Sequence, residues 1–79
     1  MSLRVVDSPW VRDAMTDAER EYLHILRDEE EVEGWLSLLA DGPGGPYHGI
    51  LTRPGFAQER VWAPTLAGVF ETLIERVTA

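Results

Sequence analysis

Two histidines, three serines and fourteen Asp and Glu side chains carry most of what chemistry this cysteine-free chain could do. His24 stands four residues before Asp28, a spacing at which two side chains on one helix can share a metal ion. One such pair does not complete a site, because zinc takes three or four protein ligands and calcium about six to eight oxygens. The expectation is therefore no resident metal and no cofactor. Ser2, Ser8 and Ser37 lack a nucleophile-elbow context, and there is no thiol. General acid work needs one carboxyl in an apolar setting beside an ionised neighbour, and adjacency along a charge run does not supply that. The chain reads as non-enzymatic, with a minimal metal protein or enzyme around His24 and Asp28 as the remote alternative.

The carboxylates form the most distinctive pattern. Residues 1–42 hold eleven Asp and Glu against four Arg, whereas 43–79 hold three of each, so the whole net charge of −7 lies in the first half. Asp28, Glu29, Glu30, Glu31 and Glu33 crowd into six positions. Such a block opposes direct binding to nucleic acid or to an anionic membrane, both of which reward positive charge. It suits a basic protein partner, and one reading is a DNA mimic or inhibitor acting through 28–33. The plainer reading is a solvated junction between two elements.

Aromatic residues supply the other candidates. Tryptophan and tyrosine are enriched among binding hot spots, and Trp10, Tyr47 and Phe56 are expected to be exposed apolar anchors of an interaction surface. Trp35 and Trp62 are expected in the core, and Trp10 suits either place beside Pro9.

The elements that must position these residues follow from periodicity. Leu3-Arg4-Val5-Val6 looks extended. Thr16 and Glu19 have the spacing of a capping box. Ala18, Tyr22, Ile25 and Leu26 then recur at helical intervals, so a helix is expected over about 17–28. A break near 28–33, with Gly34 as hinge, follows from Glu29 falling on the apolar stripe and from acidic residues opposing the dipole at a helix C-terminus. Residues 35–40 suit strand or helix, with a lean to strand from their shortness. The segment Asp41-Gly42-Pro43-Gly44-Gly45-Pro46 is a connecting loop, since Pro43 and Pro46 delete donors that a phosphate-binding loop would need. Two runs flank Pro54-Gly55, a pair suited to the centre of a type II turn, which predicts a hairpin of about 47–53 with 56–62. Leu66, Val69, Phe70, Leu73 and Val77 mark one face of a C-terminal amphipathic helix over about 64–78, with Pro64 and Thr65 in its first turn.

The fold class expected is α+β: an N-terminal helix, a small antiparallel sheet of two to four strands, and the C-terminal helix packed on it. Residues 1–79 read as one small acidic domain. At this length the buried fraction is limited, and without cysteine neither disulfides nor most zinc sites can reinforce it. A partner subunit is the supplement left, so a homodimer belongs among the expectations. The functional expectation is a non-catalytic protein–protein interaction or regulatory domain. With no apolar run long enough to span a bilayer and no signal-like start, it is expected in the cytoplasm.

Overall fold

The computed structural model describes residues 3–79. The first described element is a strand, β1 (Leu3–Asp7), so the helix expected first in the fold comes after it. Two short helices follow, α1 (Pro9–Ala14) and α2 (Asp17–His24), the second running into a π-helical turn over Ile25–Glu29. Then come β2 (Gly34–Ala40), β3 (Tyr47–Thr52) and β4 (Glu59–Ala63), and finally α3 (Leu66–Thr78). The four strands form one sheet in the order β1-β2-β3-β4. The fold is α+β, but the sheet is mixed: β1 runs parallel to β2, whereas the other pairings are antiparallel. The parallel step arises because the helices of 9–24 carry the chain back before β2 begins.

Local chemistry explains each start and stop. Pro9 keeps Ser8 extended, and Ser8 then caps α1, its Oγ accepting from the Val11 N–H at 3.4 Å. Proline at the first helical position lacks only a donor that would have no partner there anyway. At α2, the Glu19 carboxylate accepts from the Thr16 backbone N–H at 3.3 Å and from the Thr16 hydroxyl at 2.8 and 2.9 Å. The ending of this helix is wider than an α-turn. Glu30 N–H reaches back to the Ile25 carbonyl at 2.8 Å, and Val32 N–H to that of Leu26 at 2.9 Å. That second bond spans one residue more than in a Schellman ending, and Glu31 turns the chain at φ 52. So the helix leaves its α form at His24, and a π turn carries the rest.

Gly34 is a position of close approach, not a hinge. Its φ is 125, and a Cβ there would collide with the Thr52 carbonyl of β3. The β3–β4 connection is longer than expected, because Leu51 pairs with Glu59 and leaves 53–58 outside the ladder. Its tip holds the anticipated turn: Phe56 N–H donates to the Arg53 carbonyl at 3.2 Å, with Gly55 at φ 80. Helix α3 begins at Leu66, two residues past Pro64, because Thr65 is its N-cap and accepts from the Gly68 N–H at 3.1 Å.

All three helices lie on one side of the sheet. α3 packs on β3 and β4, α2 against α3, and α1 against β2. Between the layers lie Leu3, Leu36, Leu38, Leu51 and Val61 from the strands, with Val11, Leu26, Val69, Phe70 and Leu73 from the helices. Gly49 makes the close seating of α3 possible, since a Cβ there would stand 2.6 Å from Val69 Cγ1. Tyr47, expected as an exposed anchor, is 6% exposed and belongs to this core. Strand alternation sends it inward together with Gly49 and Leu51.

Candidate functional site

The opposite face of the sheet has no helical cover. Alternation points Arg4 and Val6 of β1, Trp35, Ser37 and Leu39 of β2, His48, Ile50 and Thr52 of β3, and Arg60 and Trp62 of β4 to that side. The register arranges them in rows. Arg4, Trp35 and Thr52 form one end; Val6, Ser37, Ile50 and Arg60 cross the middle; Leu39, His48 and Trp62 form the other end.

Two features set this surface apart. It is apolar and aromatic where a solvated sheet face is normally polar. Trp35 is 50% exposed, Trp62 59%, Val6 52% and Leu39 43%. It also lacks any carboxylate, in a chain that has fourteen. Its cations lie on the outer strands: the Arg4 guanidinium sits 5.2 Å from the centre of the Trp35 ring, and Arg60 Nε donates to Gln58 at 3.0 Å. Trp62 stacks on His48 with ring centres 4.4 Å apart, and His48 Nε2 is buried without a hydrogen-bond partner.

The expectation that Trp35 and Trp62 fill the core is therefore corrected. Both occupy positions of outward parity, and the inner layer is filled by leucines, valines and Phe70. The signal was present in the alternation of 35–40, where Leu36 and Leu38 form the inward set once the strand assignment is made. Trp10 is 45% exposed and Phe56 63%. Neither belongs to this face: Trp10 lies in α1, and Phe56 lies at the β3–β4 turn under the Arg53 guanidinium, 4.1 Å from its ring centre.

Asp28, Glu29, Glu30, Glu31 and Glu33 are all exposed. They occupy the π turn and the link to β2, where Glu30, Glu31 and Glu33 share a shallow cleft with Val32, Arg53, Phe56 and Val77. Asp28 accepts from His24 Nδ1 at 2.7 Å when the imidazole carries a proton there. Glu21, His24 and Glu29 place one ligand atom each within 4.8 Å of one another. All three are exposed.

Tyr22 bridges the helices, its hydroxyl donating to Glu71 Oε1 at 3.1 Å and its ring stacking on Phe70 at 6.1 Å. That hydrogen bond, followed by the negative charge of Glu71, raises the Tyr22 pKa above 10.0. Among the described residues no helix is long and apolar enough to cross a membrane. No protein-family model, curated protein or solved structure matches this chain.

Proposed function

We propose that this chain is a small non-catalytic protein–protein interaction domain that works as a homodimer, a second copy docking on the helix-free face of the sheet. The observation that carries this reading is that face itself: two half-exposed tryptophans with Val6 and Leu39, and not one carboxylate. In a chain of net charge −7, most surfaces repel a second copy. This face does not, and its apolar residues, Trp35 and Leu39 on β2 with Val6 and Trp62 on the outer strands, are interspersed with polar ones, the mixed composition of a protein–protein interface. At roughly 250 Å² for a whole tryptophan, the two together expose about 250 Å². A standard interface takes about 800 Å² from each partner, roughly a sixth of the 4798 Å² surface.

Sedimentation equilibrium tests the reading. The wild type is expected to be dimeric at about 100 μM, and Trp62→Asp to be monomeric with an unchanged circular dichroism spectrum. A wild-type monomer at that concentration would falsify the second-copy assignment.

A second reading concerns the acidic end. Asp28, Glu29, Glu30, Glu31 and Glu33 are solvent-facing, which favours steering of a basic protein partner and, with it, an inhibitor or DNA-mimic role in the cytoplasm. Reversal of Glu30 and Glu31 to lysine is expected to slow capture of such a partner at low salt. Unchanged association rates would remove this reading.

A further inference from the structure

We propose that the cleft at the Arg4–Trp35–Thr52 end of the sheet is a binding site for a small organic anion, a carboxylate carried on a flat apolar body. The cleft has a volume of about 380 Å³, within the range of small-molecule pockets. Its walls are Arg4, Trp35, Thr52, Arg53 and Pro54, with Glu33 and Gly34 beside them.

The arginines give the site its chemistry. Among the described residues Arg12 pairs with Asp7, Arg20 with Asp17 and Arg76 with Glu59, while Arg27 donates to the Leu3 carbonyl and Arg60 to Gln58. The guanidiniums of Arg4 and Arg53 have neither a carboxylate nor a hydrogen-bond acceptor among those residues. Each rests on an aromatic ring instead, Arg4 on Trp35 and Arg53 on Phe56. Stacking uses the face of a guanidinium and leaves its in-plane N–H donors available, the arrangement that receives a carboxylate edge-on through two parallel bonds. Arg53 adds a specific deficit, because its Nε is buried and has no hydrogen-bond partner. Buried donors are nearly always satisfied, so this orphan marks Arg53 as a cation whose hydrogen-bonding capacity the described residues do not use up.

The rest of the lining selects the body of the ligand. The half-exposed Trp35 ring and Pro54 both line the cleft, an apolar lining suited to a planar apolar group and not to a bare ion. The cleft itself is lined by two cations and one carboxylate, Glu33, with Glu30 and Glu31 on the far side of Arg53. The cleft shares Arg4, Trp35 and Thr52 with the face on which a second copy would dock, so the ligand and the second copy compete for this end of the sheet. Benzoate is therefore titrated with the chain below the concentration at which it pairs.

Titration of the full chain by NMR tests it, with benzoate, benzamide and inorganic phosphate as probes. Benzoate is expected to shift the Trp35 indole and Arg53 Nε–H signals saturably. Benzamide, which keeps the ring without the charge, is expected to bind about tenfold more weakly or worse, and so is phosphate, which keeps the charge without the ring. Arg53→Gln is expected to weaken benzoate about tenfold while its remaining spectrum stays that of the folded chain. Equal responses to benzoate and benzamide would overturn the anion assignment, and equal responses to benzoate and phosphate would overturn the apolar body. No shift with about 20 mM benzoate overturns the site altogether, and that outcome is read on the wild type, so it holds even if the variant fails to fold.

Discussion

The inner and outer faces of the sheet are made from the same four strands, in alternate residues, and they solve different problems. On the inner face Leu36, Leu38 and Leu51 are fully buried beneath Phe70, Leu73 and Val69. One step along each strand, Trp35, Leu39, Val6 and Trp62 stand about half in water. The inner side chains are modest in size and interdigitate with α3, to the point that Gly49 has no room for a methyl group. The outer side chains are large, widely spaced and rimmed by arginine. Hydrophobicity alone does not distinguish the two faces. What distinguishes them is cover: three helices serve one face and none the other, so apolar character stabilises the monomer on one side and is left for binding on the other.

Substitutions on each side break that comparison in different ways. Phe70→Ala should have the largest effect, lowering unfolding free energy by about 3–5 kcal/mol in urea denaturation, because it empties the centre of the inner layer. Gly49→Ala should cost about 1–3 kcal/mol by overpacking, since the new methyl meets Val69 Cγ1 at 2.6 Å and Leu73 Cδ1 at 3.4 Å. Trp62→Ala should change the stability of the monomer by less than about 1 kcal/mol, yet weaken self-association about tenfold or more in sedimentation equilibrium. A loss of stability as large as that of Phe70→Ala would mean that the outer face is structural after all.

The smallest effect lies on the helical layer. Tyr22 joins the two regimes, its ring on Phe70 and its hydroxyl on Glu71 at the solvent margin. Its pKa is raised by that hydrogen bond, so the neutral phenol is favoured in the folded chain. The associated stability is fully present below the ordinary tyrosine pKa of about 10 and is lost as pH rises through the higher folded value. Ultraviolet titration should therefore show Tyr22 ionising late, and Glu71→Gln should bring it down towards 10.0.

Much of this was readable along the chain wherever a signal was local. The Thr16–Glu19 cap, the Pro54-Gly55 turn and the apolar face of α3 each depend on residues within a few positions of one another. The helix at Pro9–Ala14 was not expected, although its start is local: Pro9 stands at the first helical position behind the Ser8 cap. The candidate surface was less legible. Trp35, Trp62 and Val6 lie far apart in sequence and share a face only through strand register. Composition favoured a buried tryptophan and an exposed Tyr47, and parity reversed both.

By itself, then, the sequence determined an α+β mix with a C-terminal amphipathic helix, the Thr16–Glu19 cap, the turn at 54–55 and the concentration of negative charge before residue 43. Those depend on neighbours within about one helical turn, or on simple counting. Only the tertiary structure decided that β1 joins β2 in parallel, that the helices gather on one side, and that the side left open is the one without carboxylates. The same is true of the cleft, where Arg4 of β1 and Arg53, just past the end of β3, line one cavity. Burial and pairing are properties of surfaces brought into contact, and no stretch of chain carries its own cover.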